Sequence, residues 1–381
     1  MKIAFEGQPF LDSFKTGIGW YEYNMIKNIT RIDSESQFEI TVFDFLNSYN
    51  SDEKLLNLFD HRENTNVSKC IYMHYGIYIR SQNLFKWIPY NYLFNSKADI
   101  YHFFNFIIPP RIKGKVVNTV HDMVYFRYPE TMSKANYNIQ RKNLNRWCQD
   151  ADIILTVSQN SKNEISEFMN VPLDKIEIAY PAVDRNVFSP KKDYKLIEEK
   201  YNITSGYILY FGTLEPRKNI TTIIRAFKII SEKNKDIKLV LAGRKGWLYD
   251  EIFALVQELR LEDRIIFTGY VPEEDAPVLY SCAEAFVFPS LYEGFGIPPL
   301  EAMACGTPVI VSKTASLPEV VGDAGILVDP HDIENLAFEM ERLINDSALR
   351  KRCSEKGLVQ ADKFSWEDSA RKVIEIYKSL A

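Results

Sequence analysis

Residues 285–304 read AFVFPSLYEGFGIPPLEAMA, an apolar run, then a turn that contains glycines, then a segment that opens with two prolines. The run Ala285–Phe288 predicts a buried strand, which Pro289 ends. Pro298 and Pro299 have a fixed φ and no N–H, so a helix is expected to begin there. A strand, a loop and a helix in this order are typical of α/β proteins with parallel sheets. The stretch therefore predicts that fold class.

Two carboxylates frame this turn. Glu293 precedes it, and Glu301 is expected in the first helical turn, where the helix dipole keeps a carboxylate ionised. Gly294 and Gly296 allow unusual backbone conformations and let a ligand approach the main-chain amides. Carboxylates bind sugar hydroxyls and amides bind phosphate, so the pattern indicates a sugar-nucleotide site at a strand's carboxyl end. The alternative is an ordinary connection in which Glu301 is only a favourable helix charge.

Length and composition set the broad class. The chain has 381 residues, of which 46% are hydrophobic, so two domains are expected. Five scattered cysteines without a C-x-x-C pair argue against disulfides and a zinc site, and favour a reducing cytoplasm. A net charge of −5 offers no general attraction to nucleic acid. No signal peptide or transmembrane segment is seen, so we expect a cytoplasmic protein, soluble or peripheral at the inner face of the membrane.

Apolar strand candidates alternate with amphipathic segments in both halves of the chain. The expected strands of the first half are 3–6, 39–43, 100–103, 116–120 and 153–157. Those of the second half are 207–211, 238–242, 265–268, 285–288 and 308–312. Each set is expected to form one sheet, with a ligand cleft between the two domains. The proline-bracketed segment 180–190 is the linker candidate, which gives expected domains of 1–185 and 186–365.

A second candidate group follows the expected strand 207–211. The stretch Gly212-Thr213-Leu214-Glu215-Pro216-Arg217-Lys218-Asn219 leads into a helical pattern. Adjacent cations before a helix repel each other unless an anion lies between them, and a diphosphate is such an anion. Arg217 and Lys218 are therefore candidates to neutralise a diphosphate. The alternative is a solvated turn with Asn219 as the N-cap.

The first half carries two further candidates. His121 follows a strand and can donate to a sugar hydroxyl, with Asp122 able to orient it, although a structural histidine is the alternative. Gly17 and Gly19 lie in a loop before a helix expected to begin near Tyr21, where amides can meet a phosphate. The remaining histidines form no cluster with metal-ligand spacing, so no metal site is expected.

The span 71–106 is rich in aromatic residues, with interspersed cations. Such a surface suits an acceptor sugar, by stacking, or an anionic membrane, and packing in the core is the third possibility. Our hypothesis is that Tyr75, Tyr78 and Trp87 belong to an acceptor face.

In combination these motifs resemble those of the retaining glycosyltransferases of family 4, which have the GT-B fold. The resemblance covers nearly the whole chain, and its most specific element is the E-x7-E pattern from Glu293 to Glu301. It implies two Rossmann-like parallel-sheet domains that face each other across a cleft, with the C-terminal helix 366–381 packing back on the first. It also implies metal-independent hexose transfer, without a cofactor, from a nucleotide diphosphate sugar to a glycan or lipid-linked saccharide in cell-surface polysaccharide synthesis.

The resemblance further implies a role for each candidate. Glu293 would contact the donor sugar and Glu301 the ribose. Arg217 and Lys218 would stabilise the leaving diphosphate, and His121 would touch the sugar near the reacting carbon. The other expected donor-binding residues are Gly17, Gly19, Gly212, Thr213, Val271 (at the base), Gly294, Phe295, Gly296 and Ile297.

One position departs from the family pattern. Many relatives carry an arginine where this chain has Thr213, so Arg217 is expected to take over that charge. The motif around Thr213 resembles that of mannosyl- and rhamnosyltransferases acting on cell-surface polysaccharide, and this resemblance implies GDP-mannose as the donor, with UDP- and dTDP-sugars as alternatives. A sugar-nucleotide epimerase of the same fold and a catalytically silent sugar-nucleotide-binding partner are the rival functions.

Overall fold

The computed structural model describes residues 1–11, 17–49, 51–60, 62–81, 88–204 and 206–381. Their contacts divide the chain into two compact units. The first contains Met1–Tyr125, Lys134–Pro181 and Trp366–Ala381, and the second contains Phe126–Ser133 and Ala182–Ser365. The chain thus enters the second unit after Pro181, inside the segment that the sequence marks as a linker. Segment Phe126–Ser133 also lies with the second unit, which the sequence did not indicate.

The first unit is built on a parallel sheet with seven strands in the described residues, in the order β3-β2-β1-β4-β5-β6-β7. Its strands are β1 Lys2–Glu6, β2 Gln37–Phe43, β3 Thr65–Cys70, β4 Ile100–Phe103, β5 Lys115–Thr119, β6 Ile153–Thr156 and β7 Ile176–Ile178. The helices that begin in this part of the chain are α1 Gly17–Ile32, α2 Ser51–Leu58, α3 Tyr75–Ser81, α4 Tyr90–Leu93, α5 Val124–Arg127, α6 Lys134–Asp150 and α7 Gln159–Met169.

The second unit repeats this architecture with a six-stranded parallel sheet in the described residues, ordered β10-β9-β8-β11-β12-β13. Its strands are β8 Tyr207–Phe211, β9 Lys238–Ala242, β10 Ile265–Gly269, β11 Ala285–Phe288, β12 Val309–Ser312 and β13 Ile326–Val328. Its helices are α8 Tyr194–Tyr201, α9 Ile220–Lys233, α10 Asp250–Glu258, α11 Ala276–Ser281, α12 Ile297–Ala304, α13 Leu317–Val321, α14 Ile333–Asn345 and α15 Ser347–Ala361.

Both sheets carry a topological switch point, where the strand order reverses. It lies between β1 and β4 in the first sheet and between β8 and β11 in the second. The central strands are nearly continuous apolar runs because helices cover both faces of a parallel sheet. Ile208, Leu209 and Val287, for example, are fully buried. Ligands of such sheets bind beyond the carboxyl ends of the strands at the switch point.

The last helix, α16 Trp366–Leu380, belongs to the first unit. Its Tyr377 hydroxyl is 2.5 Å from His102 Nδ1, and Ser369 Oγ donates to the carbonyl oxygen of Tyr180 at 2.7 Å. The ring of Trp366 packs 5.6 Å from that of Tyr21 on α1. The chain therefore returns from the second unit to complete the core of the first.

The aromatic span 71–106 supplies both core and surface. Tyr78 and Tyr90 are buried, whereas Tyr72 and Tyr92 are exposed. The Tyr75 hydroxyl donates to Glu6 Oε1 at 3.0 Å, which ties this half-buried ring to the end of β1. Trp87, the third residue of the proposed acceptor face, lies outside the described residues. Among the helices in the described ranges, none combines the length and apolar character needed to cross a bilayer.

The backbone at Gly243 fits only a glycine. Its φ is 137°, and a Cβ there would lie 1.9 Å from the carbonyl oxygen of Gly212. We predict that Gly243→Ala lowers the free energy of unfolding by at least about 3 kcal/mol, measured by urea denaturation. Gly206→Ala is the control, because its Cβ would come no closer than 3.4 Å to Glu284. Equal losses in the two variants would contradict the close approach of the two backbones.

Candidate functional site

Two loops of the second unit lie side by side at its switch point. The loop 212–219 follows β8, and the loop 289–296 follows β11, its parallel neighbour. The Leu291 N–H donates to the carbonyl oxygen of Arg217 at 2.9 Å. Asn219 Nδ2 donates to the carbonyl oxygens of Pro289 at 3.1 Å and Pro330 at 2.7 Å. These bonds fix the loop with the cations against the loop with Glu293.

Glu293 is the centre of a compact ionic cluster. Its Oε2 accepts from Arg217 Nη1 at 2.8 Å, and its Oε1 accepts from Lys218 Nζ at 2.6 Å. Ser290 Oγ donates to the same Oε1 at 2.6 Å. Arg217 Nη2 reaches Glu215 Oε1 at 2.7 Å, and its Nη1 also donates to the carbonyl oxygen of Tyr292 at 2.7 Å. Arg217 therefore binds two carboxylates and the main chain at once.

The protonation states follow from this packing. Burial alone would raise the pKa of Glu293, but the charges of Arg217 and Lys218, with the hydrogen bonds from Lys218 and Ser290, lower it to about 2. Burial and the charge of Arg217 lower the pKa of Lys218, while Glu293 opposes that shift. Glu293 is thus ionised at every physiological pH.

The cluster carries no formal net charge. Arg217 and Lys218 contribute two positive charges, and Glu215 and Glu293 contribute two negative ones. The sequence alone suggested that an anionic ligand would be needed to relieve repulsion between the two cations. In the structure Glu293 already bridges them. A diphosphate therefore has to compete with a carboxylate for these cations.

The start of α12 corrects the expected place of Glu301. The helix begins at Ile297, so Glu301 is its fifth residue and lies outside the first turn. Gly296, the residue before the helix, has a φ of 120°, and a Cβ there would lie 2.6 Å from Leu317 Cδ2. Ser316 Oγ donates to the carbonyl oxygens of Glu293 at 2.9 Å and Phe295 at 2.6 Å, which holds this loop in place.

Glu301 also differs from expectation in its charge. Burial raises its pKa to about 7; the hydrogen bond from Tyr280 opposes this shift and the charge of Glu273 adds to it. The helix dipole therefore does not keep this carboxylate ionised, as the sequence had suggested. The Tyr280 hydroxyl donates to Glu301 Oε2 at 2.8 Å. The two glutamates of the E-x7-E pattern thus have opposite pKa shifts.

The loop after β9, residues 243–249, contacts the loop after β8. The Gly243 N–H donates to the carbonyl oxygen of Gly269 at 2.9 Å, and the Leu214 N–H donates to that of Arg244 at 2.8 Å. The Gly212 N–H donates to the carbonyl oxygen of Ala242 at 2.9 Å, and the φ of Gly212 is 151°. The chain ends of β8, β9 and β10 therefore form one connected edge. Thr213, at the exposed tip of its loop, and the buried Val271 lie on that edge.

The candidates of the first half lie in the first unit. His121 is buried, and its Nε2 is 2.7 Å from the carbonyl oxygen of Phe104. Burial lowers the pKa of His121 to about 4, while that hydrogen bond opposes the shift, so the ring is neutral at pH 7. With a neutral ring, Nε2 carries the proton for this bond. Asp122 Oδ1 accepts from the Val124 N–H at 3.0 Å.

Gly17 and Gly19 require a correction. The helix α1 begins at Gly17 rather than near Tyr21, so both glycines lie in its first turn and not in a loop. Gly17 is exposed and Gly19 is buried.

Several residues that support the cluster were not foreseen. Ser290, Ser316 and Tyr280 each hold one of the two glutamates or its loop through a side-chain hydroxyl. Ser290 and Glu215 are within a few residues of predicted ones, so the motifs offered a weak signal for them. Ser316 and Tyr280 come from other elements and gave none. In the ranges that the structure describes, no group of three or more His, Cys, Asp or Glu side chains is placed to hold a metal ion.

Comparison with known proteins decides the family. The family model "Glycosyl transferases group 1" matches residues 193–360, and the model "Glycosyltransferase Family 4" matches residues 37–187. O-antigen chain mannosyltransferase B of Escherichia coli is 40% identical over 74% of this chain and 75% of that protein. The chain belongs to the family 4 glycosyltransferases. The resemblance read from the sequence motifs is thereby confirmed.

This glycosyltransferase is also similar to a second mannosyltransferase in sequence and to a solved structure in fold. Serotype-specific mannosyltransferase WbdA of Escherichia coli is 32% identical over 71% of this chain, which spans about a third (34%) of the length of WbdA. Sucrose-phosphate synthase of Thermosynechococcus elongatus matches 100% of this chain and 99% of that one, with a TM-score of 0.79 at 21% identity. At that identity the likeness shows the fold alone. The predicted α/β GT-B fold, with two Rossmann-like parallel-sheet domains, is confirmed.

The raised pKa of Glu301 gives a pH test of this glycosyltransferase. The resemblance implies that Glu301 accepts hydrogen bonds from the ribose of the donor. Only the ionised carboxylate accepts hydrogen bonds at both oxygens, so kcat/KM for the donor should fall as the pH drops through about 7. Glu301→Gln should remove this dependence. Tyr280→Phe deletes a bond that favours the ionised form, so it should move the fall to higher pH. An unchanged profile in Glu301→Gln would assign the titration to another group, such as Glu6, whose pKa burial raises to about 7.

Proposed function

We propose that this glycosyltransferase moves mannose from GDP-mannose to a glycan or lipid-linked saccharide, with retention of anomeric configuration, in cell-surface polysaccharide synthesis. The observation that carries the proposal is the cluster of Glu293 with Arg217 and Lys218 at the switch point of the second unit. The choice of mannose and polysaccharide rests on the names of relatives, which include an O-antigen chain mannosyltransferase at 40% identity.

Donor binding would exchange the partners within the cluster. Sugar hydroxyls donate to Glu293, and phosphate oxygens accept from Lys218 and Arg217 in place of the carboxylate. The existing bond to Glu293 uses one of the three N–H donors of Lys218. Pro298 and Pro299 have no N–H, so the amides of Gly296 and Ile297 are those that the start of α12 can offer to a phosphate.

The remaining candidates have corresponding roles. Glu301, oriented by Tyr280, would accept from the ribose hydroxyls, and Val271 would contact the base. The loops after β8 and β11 would line the phosphates and the sugar, and they contain Gly212, Thr213, Gly294 and Phe295. In the first unit, His121 would touch the sugar, and Gly17 and Gly19 would contact the diphosphate.

The proposed chemistry is a front-face displacement. The bond between the anomeric carbon and the phosphate oxygen breaks, and its electron pair leaves with the diphosphate. The acceptor oxygen bonds to the same face of that carbon, and the acceptor proton passes to the leaving phosphate. Arg217 and Lys218 would stabilise the growing charge, which is the kind of interaction that contributes most to such rates.

We also propose that the transfer needs neither a divalent metal nor a cofactor. Once sugar hydroxyls take over Glu293, Arg217 and Lys218 would supply the diphosphate with the positive charge that a metal would bring. The proposed place of work is the cytoplasm, with contact at the inner face of the membrane as the alternative that a lipid-linked acceptor would favour. An epimerase and a silent binding partner are the rival functions; neither would release a nucleoside diphosphate in proportion to the acceptor.

The test is direct. Purified protein with GDP-mannose and a mannose-containing acceptor should release GDP only when the acceptor is present, and the product should keep the anomeric configuration of the donor by NMR. EDTA should leave the rate unchanged. UDP- and dTDP-sugars serve as alternative donors. Inverted product would refute the front-face mechanism, and acceptor-independent conversion of the donor would favour the epimerase.

Variants of the two cations separate catalysis from binding. Lys218→Met should lower kcat by on the order of a hundredfold, with a smaller change in donor KM, because its charge matters most as the diphosphate leaves. Arg217→Met should do the same and lower the melting temperature more than Lys218→Met does, because Arg217 holds Tyr292 and Glu215 as well. Lys228→Met is the control, because this half-buried lysine of α9 pairs with Glu232 and lies outside the cluster. A change confined to donor KM in both variants would contradict the role.

A further inference from the structure

The segment Phe126–Ser133, which we call the strap, lies with the second unit, although the chain on both sides of it belongs to the first. Trp247 Nε1 donates to the carbonyl oxygen of Thr131 at 2.9 Å. The ring of Tyr128 lies 5.9 Å from that of Tyr292, with an angle of 45° between their planes. The strap therefore contacts the second unit through one hydrogen bond and one aromatic pair.

These two contacts are made with different loops of the second unit. Trp247 lies in the loop after β9, and Tyr292 lies in the loop after β11. In the order of the second sheet, β8 lies between β9 and β11. The strap therefore joins the two loops that flank the loop of Arg217.

The strap is braced by its own hydrogen bonds. The N–H and the Oγ1 of Thr131 both donate to the carbonyl oxygen of Tyr128, at 3.0 and 2.7 Å. Pro129, between them, has a fixed φ. Thr131 is buried and Tyr128 is half-buried. The two residues that contact the second unit are thus bonded to each other, so the two contacts are mechanically linked.

Tyr292 acts on the ionic cluster through its main chain. Its carbonyl oxygen accepts from Arg217 Nη1 at 2.7 Å, and the next residue is Glu293. Under the proposed function, sugar hydroxyls replace Arg217 at Glu293. The guanidinium would then rest on the Tyr292 carbonyl and on the Glu215 carboxylate. The position of Tyr292 would therefore help to set where this charge meets the leaving diphosphate.

We propose that the strap holds Tyr292 and thereby positions the guanidinium of Arg217 for the departure of the diphosphate. Tyr128 and Trp247 are the positioning residues. The inference rests on the proposed function, in which Arg217 stabilises that leaving group. Removing one ring of a packed aromatic pair leaves a void into which the other can shift. A displaced cation loses part of its effect on the transition state, even where the donor still binds.

The ring of Tyr128 gives the first test. Tyr128→Ala should lower kcat about 10-fold, with donor KM within about twofold of the wild type. Tyr128→Phe should keep the wild-type kcat, because it keeps the ring that packs on Tyr292. Trp247→Phe removes the donor to Thr131 and should lower kcat about threefold. Tyr137→Ala is the matched control, because it removes a half-buried ring of α6 in the first unit.

A double-mutant cycle separates positioning from a general loosening of the fold. Because the strap acts through Arg217, Tyr128→Ala should lower kcat little further in an Arg217→Met background. In a Lys218→Met background it should keep its full effect, because the bond of Lys218 to Glu293 does not involve Tyr292. Equal losses of kcat in the two backgrounds would overturn the inference.

Hydrogen exchange provides a measurement that needs no transfer. The Leu291 N–H donates to the carbonyl oxygen of Arg217, so its exchange reports on the loop after β11. Tyr128→Ala should speed the exchange of residues 289–296 by about fivefold or more, and Tyr128→Phe and Tyr137→Ala should not. Unchanged exchange in Tyr128→Ala would refute the inference, and mannosyl transfer from GDP-mannose would still stand. If the wild type transfers mannose from no donor, the proposed function fails, and faster exchange would still show that the strap holds Tyr292.

Discussion

The ion pairs of Glu293 with Arg217 and Lys218 are the constraint on which the candidate site depends. The three side chains are 10%, 19% and 12% exposed, so their charges are largely removed from water and have to neutralise one another. Breaking such a pair from one side typically costs about 3 to 5 kcal/mol, because it leaves a buried charge without a partner. The cluster therefore joins the loops after β8 and β11, and the rest of the site is arranged around that junction.

The same short motif holds two carboxylates in opposite electrostatic states. Glu293 has two cations and a serine hydroxyl around it, and its pKa is lowered to about 2. Burial raises the pKa of Glu301 to about 7, the hydrogen bond from Tyr280 opposes this shift, and the charge of Glu273 adds to it. The permanently ionised Glu293 can accept hydrogen bonds at any physiological pH, and it competes with a diphosphate for Arg217 and Lys218. Under the proposed function, a group that titrates near neutrality would make the affinity for the ribose depend on pH.

The sequence predicted the central strands of both sheets and the edge strand β10, and it missed the other three edge strands, β3, β7 and β13. The central strands β8 and β11 are continuous apolar runs, and their predicted bounds agree with the structure. The strand β3, TNVSKC, is polar, and β7 and β13 have three residues each, so none shows the pattern of a buried strand. The start of α12 was missed by one residue, because Ile297 rather than proline begins it. That shift was enough to misplace Glu301 relative to the helix dipole.

The contacts within the site depend on tertiary structure that no local pattern contains. Arg217 and Glu293 are 76 residues apart, and only the pairing of β8 with β11 brings them together. Once they meet, the formal charge of the cluster is zero, so it cannot attract a diphosphate by net charge alone. Under the proposed function, a donor would bring hydroxyl groups that take over Glu293 and phosphates that take the two cations. Under the proposed function, a free diphosphate lacks those hydroxyls, and the cluster would favour the intact sugar nucleotide over the product it releases.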